Sequence, residues 1–439
     1  DHEVNIKILL GQVLASGEMT AKQRNRLLAQ MTDEVAELVL AHNYAQTQSI
    51  SLVAWKSAEK LYEHARFIDH LEQRGKLNRK LEYLPDAKMI AERQANQRGL
   101  TKPEIAVLHA YSKMNYYDAL IDSDISHDSY LRAEMAGYFP RVLVERFPDE
   151  ISAHRLLREI TATYLTNRIV DHMGPGFGFR VREEVGANID SLTRAFVSVC
   201  VIFDIDRIWS DIEGLDNMVS ASVQMEMMYA VTTLLRRTVT WLLRYRPNDL
   251  EIATVIGHFR RGVAELTEQM PKPLSAPDRL ALNRQVKTLT QSGVEQELAR
   301  RVGVLLPLAS ALDLVEIARD SGREILDVAA VYYQLGKELD FHWLHAQIDK
   351  LHIHTHWHDL ARTRLREMLD NHQREIAAHV LRTTRSYKKA GKMIEQWRAA
   401  NQAAFQRHGE ILAEFKARSS VDFAMLSMVV AGAETLRTV

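Results

Sequence analysis

Helix punctuation constrains this chain more than any other feature, and it is densest between Leu84 and Tyr111, LPDAKMIAERQANQRGLTKPEIAVLHAY. Thr101 followed three residues later by Glu104 is a capping box: the hydroxyl takes the amide proton at the third helical position while the carboxylate reaches back to the cap amide. Pro103 falls in the same first turn, where a missing N–H costs nothing. Gly99 suits a left-handed cap that closes the preceding helix. Ile105, Leu108 and Tyr111 then share one helical face. The stretch predicts an αα corner.

The same grammar continues on both sides. Thr20 with Gln23 predicts a second capping box, followed by Leu27, Met31, Val35 and Leu38 at helical spacing. A helical pattern runs from about Ser49 to Gln73 and stops at Gly75. Asp122 to Ser129 reads as a polar loop before a helix ended near Pro140 and Pro148. Residues 151–173 read as one helix stopped by Gly174-Pro175-Gly176. Long helical patterns with Trp209 follow between about Asp190 and Tyr245, with Trp241 and the stripe Met225, Met227, Met228 as core. Asn248 with Glu251 predicts a cap for the next helix.

Three prolines in Met270–Pro277 give the strongest linker signal, and Ser275 with Asp278 restarts a helix. Further expectations are a break at Pro307, a cap at Asp313 with Glu316, a turn at Gly322, a helix over 325–339 and a long charged helix from about Asp359 to Gln406. The best strand candidates, Ile50–Val53 and Val197–Phe203, are better read as helix. The predicted class is therefore all-α, an irregular multi-helix assembly with no Rossmann sheet. It forms one body or two sub-bundles, with residues 1–18 as a tail or linker, 19–270 as a first bundle and 271–439 as a second.

At 439 residues the chain is long enough for more than one core. Its 56 Lys and Arg against 57 Asp and Glu leave a net charge of −1, which supplies no general footprint for nucleic acid or an anionic membrane. The single cysteine, Cys200, excludes an internal disulfide and sits in an apolar run as a buried thiol. The apolar stretch Ala195–Trp209 is too short and too charged to span a bilayer. These features lead us to expect a cytoplasmic protein with neither nucleic-acid nor membrane partners.

Several constellations invite chemistry. Gly174, Gly176 and Gly178 resemble a dinucleotide loop, but a phosphate-cradling loop follows a strand and opens a helix, and here a helix precedes it. An interhelical turn with Phe177 and Phe179 packed inward is the simpler expectation. His342, His345, His352, His354, His356 and His358 fall close together. Of these, His352, His354, His356 and His358 are the candidate metal ligands, although neighbouring carboxylates are sparse and no cysteine is near. The pairs His127-Asp128 and His358-Asp359 lack the further ligands of a metal-dependent hydrolase. Glu183, Glu184, Asp204, Asp206, Arg236 and Arg237 read as solvated faces or salt links. No catalytic lysine in a Gly-rich substrate loop and no nucleophile elbow can be placed, so no catalytic and no cofactor-binding residue is assigned.

Five blocks in order carry a resemblance. They are NYAQTQSISL from Asn43, EHARFIDHLEQRGKLNRKLEYLPD from Glu63, the corner at Leu84–Tyr111, GPGFGFRVREEVGA from Gly174 and AAVYYQLGKELDFHWLHAQI from Ala329. Together they resemble the C-terminal helical region of the large bacterial NAD-specific glutamate dehydrogenases. Within the fourth block's neighbourhood, Asp171 and Val185 stand where that family usually has Asn and Thr. The resemblance implies that Asp1 is an internal boundary and that the catalytic domain lies upstream as this region's partner. It also implies a homo-oligomeric parent that uses NAD as cofactor, with none held by this chain. On that reading the chain supports the catalytic domain. Alternatives are an effector-binding module using the turn at Gly174, Gly176 and Arg180, and a metal-dependent hydrolase built on the His tract.

Overall fold

The computed structural model describes residues 2–353, 355–384, 389–418 and 420–436. Helices take up 79% of it, and among the described residues there is no strand. Both strand candidates are helical. The chain forms two compact units, Asp1–Ser198 with Leu242–Thr254, and Val199–Trp241 with Val255–Val439.

The first unit opens with α1 (His2–Ala15), α2 (Ala21–Gln30), α3 (Thr32–Trp55), α4 (Leu61–Gln73), α5 (Ala87–Ala95) and α6 (Lys102–Ile121). Short helices α7 (Ser129–Glu134), α8 (Arg141–Arg146) and α9 (Pro148–Ser152) lead to α10 (Leu157–Met173), α11 (Phe177–Val185) and α12 (Ile189–Ile202). Helix α1 is built into a core: Ile6, Leu9, Leu10 and Val13 pack with Leu27, Met31, Tyr138, Phe139 and Leu143. A second core gathers Phe67, Ile68 and Leu71 of α4 with Ile105 and Leu108 of α6. Each such fully buried side chain is worth about 1.5–3 kcal/mol of transfer free energy.

The corner forms as its residues dictate. Thr101 and Glu104 make the capping box, Pro103 lies in the first turn, and Arg93 clamps Glu104 through two bonds of 2.7 and 2.8 Å. The glycine is explained differently from the expectation. The left-handed residue is Gln97, at φ 53°, and Gly99 has no positive φ. Gly99 is required because a Cβ there would lie 2.3 Å from the Ser57 carbonyl carbon. The Arg93–Glu104 pair is half-buried, so Arg93→Ala should cost about 1–2 kcal/mol in urea unfolding.

Several boundaries differ for identifiable reasons. Pro140 and Pro148 begin helices, as cap and first-turn residues of α8 and α9. The helix expected over 151–173 is two, because His154 takes the Leu156 amide and interrupts the ladder. Glu251, not Asn248, supplies the next cap, accepting from the amides of Ala253 and Thr254.

The second unit contains α13 (Ile205–Glu213), most of α14 (Ala221–Tyr245), α15 (Ile252–Gln269), α16 (Ala276–Gln291), α17 (Gln296–Gly303) and α18 (Leu305–Leu308). It continues with α19 (Ala311–Ser321), α20 (Ile325–Glu338), α21 (Phe341–Lys350), α22 (His356–Thr383), α23 (Ala390–Ala400), α24 (Gln402–Lys416) and α25 (Phe423–Gly432). Helix α20 packs against α19, α22 and α23, with Val328, Val331, Leu335, Leu369, Ile376 and Trp397 buried. The long helix expected over 359–406 is three helices, α22, α23 and the start of α24; residues 385–388 of that stretch lie outside the described residues. Among the described residues no single helix is long and apolar enough to cross a membrane.

Candidate functional site

The glycine turn joins α10 to α11. Gly174 takes φ 78°, and the Ser112 hydroxyl donates to the Pro175 carbonyl at 2.9 Å. The space beside the glycines is already filled. A Cβ on Gly174 would meet Val53 at 2.8 Å, one on Gly176 would meet Glu63 at 2.7 Å, and one on Gly178 would meet the Tyr116 hydroxyl at 2.0 Å. A pyrophosphate needs that space free for close approach to backbone amides, so these residues do not fit a dinucleotide. Phe177 is buried, and Phe179 lies 5.7 Å from Phe67. Arg180 is buried as well and donates to Glu184 at 2.7 Å, while Glu183 pairs with Arg66.

A polar group that the sequence did not assemble lies beside this turn. Asp171 of α10 is buried 2.8 Å from the Lys113 ammonium and 3.2 Å from His109 Nε2, and the Ser49 hydroxyl lies 3.3 Å from the same imidazole nitrogen. Serine, histidine and aspartate are the components of a nucleophilic triad, but their arrangement here is wrong for one. A triad needs the nucleophile on one ring nitrogen and the carboxylate on the other. Here both neighbours fall on Nε2, and Ser49 donates to the Val170 carbonyl. All three residues are also buried. The legible signal was the acid at 171 together with His109 and Lys113, which stand four apart on one face of α6.

The His tract disperses. His342 faces Asp278 at 3.1 Å, His345 faces Asp370 at 3.1 Å, and His358 stacks on Phe423 at 5.1 Å. His352 is exposed and His356 half-buried, while His354 lies outside the described residues. Among the described residues no group of three or more His, Cys, Asp or Glu side chains could hold a metal ion. Asp128, of the earlier His-Asp pair, caps α7 and pairs with Arg194.

In the second unit, α14, α19, α21 and α22 enclose a charge network. Asp370 accepts from Arg237 at 3.0 Å and faces His345, while Arg366 pairs with Asp349. Burial alone would raise the Asp370 carboxyl, but Arg237, His345 and Arg366 hold it well below the usual carboxylate range. Burial and the Arg237 charge push Arg366 down to about 10. Asp313, expected as a helix cap, turns inward and takes the Trp241 indole N–H at 2.8 Å; Ser310 is the cap residue instead. Burial pushes Asp313 up to about 7, against the opposing effects of Arg374 and Trp241.

A carboxyl raised in the fold contributes stability that is fully present below its unfolded pKa near 4 and is lost as pH rises through about 7. Asp313→Asn keeps an acceptor for Trp241 and should remove this dependence, worth about 4 kcal/mol between pH 4 and 7. Chemical unfolding followed by helical circular dichroism across that range, for the unsubstituted chain and for Asp313→Asn, reads it.

The fold and these pairings define an all-α chain whose charged groups mainly satisfy one another. Residues 97–434 match the family described as glutamate dehydrogenase, C-terminal, and residues 1–53 match the bacterial NAD-glutamate dehydrogenase catalytic domain. Similar curated proteins are the NAD-specific glutamate dehydrogenases of Pseudomonas aeruginosa, 37% identical over 428 residues, and Halomonas elongata, 35% identical over 430. That of Mycobacterium tuberculosis is 32% identical over 428 residues. Each alignment covers 98% of this chain but only 26–27% of the relative, so the chain spans about a quarter of the length of these relatives. The chain belongs to the glutamate dehydrogenase C-terminal family.

Proposed function

We propose that this chain is the helical C-terminal region of a large NAD-dependent glutamate dehydrogenase and that it carries none of the reacting groups. The parent would convert L-glutamate, NAD and water to 2-oxoglutarate, ammonium and NADH as a cytoplasmic homo-oligomer. The observation that carries the reading is the match along 98% of the chain to proteins of that specificity. It is supported by the filled glycine turn and by the dispersal of the His tract into separate pairings. The role left to the helices is to brace the catalytic domain.

The test is made in the full-length parent. Glutamate-dependent NADH formation is expected, and Asp370→Ala should lower the unfolding temperature while leaving KM for glutamate and NAD unchanged. A parent that does not oxidise glutamate would refute the activity. A change in KM for either substrate at unaltered stability would refute the purely supporting role.

A further inference from the structure

Helix α1 is fastened at its first turn by a clasp of three hydrogen bonds, and two of them involve imidazoles whose tautomers the geometry fixes. His2 is buried and its Nδ1 lies 3.0 Å from the Tyr138 carbonyl, which can only accept, so Nδ1 carries the proton. Its Nε2 is buried with no hydrogen-bond partner among the described residues. The ring is held between Tyr138, 4.3 Å away, and His42, 4.8 Å away. Asn5 donates to the Tyr138 hydroxyl at 2.8 Å. In return His154, also buried, reaches the Asn5 carbonyl at 3.1 Å through Nε2, while its Nδ1 accepts the Leu156 N–H at 3.0 Å. His154 is therefore the neutral Nε2–H form.

Neither ring can take a second proton in place. On His154 the new N–H would point at the Leu156 amide and destroy that bond. On His2 it would put a charged donor at a buried position with no acceptor among the described residues, beside another imidazole. Burial outweighs what the surroundings offer in compensation, which is the carbonyl contacts of Tyr138 and Asn5 and, for His154, the Glu159 charge. The facing titratable groups are His42 from α3, Tyr138 and the N-terminal ammonium for His2, and Arg155 and Glu159 for His154. His42 is in turn influenced by Asp171 and Lys113. The elements packed on α1 present Leu27, Met31, Val35 and Ile151. The charges of α1 itself, Glu3 and Lys7, pair with each other at the surface. Among the described residues no carboxylate hydrogen-bonds to either ring.

We propose that this clasp is proton-operated: mild acid releases the first turn of α1 while the rest of the first unit stays packed. Burial, with His42 adding to it, pushes His2 down to about 4, and burial lowers His154 as well. A lowered histidine contributes stability that is present above its ordinary pKa near 6.5 and is lost as pH falls toward the folded value. Residues 1–53 carry the catalytic-domain match, so release would loosen one of the points at which that stretch is tied to the remainder of the unit, the packing of α3 on α6 and α10 being another. The inference does not rest on the dehydrogenase reading.

Hydrogen exchange on the full chain, corrected for the intrinsic pH dependence of exchange, tests it. Between pH 7.5 and 5.0 the protection of α1 amides should fall roughly thirtyfold, with that of α10 unchanged. His2→Gln combined with His154→Gln places an amide donor at each site without a titrating group and should flatten the α1 response. Tyr138→Phe, which removes only the Asn5 bond, should keep the pH response from a lower starting protection. A flat response in the unsubstituted chain, the same fall in the double glutamine variant, or joint opening of α1 and α10 would overturn the proposal. Should the double variant not fold, nitrogen chemical shifts of the unsubstituted imidazoles decide: Nδ1–H at His2 and Nε2–H at His154 are expected, and either opposite tautomer contradicts it.

Discussion

Gly99→Ala should destabilise the first unit by about 3 kcal/mol or more, the upper end of what overpacking costs. The reason is what the added methyl would strike. It would sit 2.3 Å from the Ser57 carbonyl carbon and 2.5 Å from the Ala58 nitrogen, and neither backbone atom can yield as a flexible side-chain tip would. Relief requires separating the turn after α3 from the corner that precedes α6, which also breaks the bond from the Ser57 hydroxyl to the Leu100 carbonyl. Gly11→Ala is the matched control: it lies inside α1 with nothing within 4 Å of the new methyl. That change should stabilise by roughly 0.5–1 kcal/mol. Chemical unfolding of the two variants side by side measures the contrast.

Asp370→Ala should cost about 3 kcal/mol in the second unit, because removing one member of a mostly buried ionic group leaves its partners without compensation. Arg237 and His345 both lose their acceptor, at 3.0 and 3.1 Å, and the favourable charge beside Arg366 goes too. The sign with pH is definite. A carboxyl held low in the fold contributes stability present above its unfolded pKa near 4 and lost as pH falls below it, so the penalty of Asp370→Ala should shrink in strong acid. Arg237→Ala should cost less than Asp370→Ala, since Asp370 keeps His345 and Arg366. Equal penalties at pH 7 and pH 3 would show that Asp370 acts through packing alone.

The helices were legible because their ends are written in local chemistry. Thr20 with Gln23 and Thr101 with Glu104 form the capping boxes their spacing predicts, and the expected stop at Gly75 and turn at Gly322 are made by left-handed residues. What stayed hidden was contact between distant residues. Gly99 reads as a helix stop, yet its reason is a backbone forty-two positions earlier. Asp313 has the spacing of a cap, yet its carboxyl is spent on Trp241 in another helix. The histidines cluster in sequence because α21 and α22 are consecutive, but the helical turn aims His342 and His345 at Asp278 and Asp370, two different acids. The long charged stretch from Asp359 to Gln406 has no proline, and its one glycine, Gly391, lies inside the first turn of α23 rather than closing α22, so its division into α22, α23 and α24 left little trace in composition.

Titrating the purified chain with NAD, with and without glutamate, while following heat and NADH absorbance tests the central assignment most directly. The account predicts neither saturable NAD binding nor glutamate-dependent NADH from these residues alone. NADH formation that requires glutamate and co-purifies with the chain would contradict it.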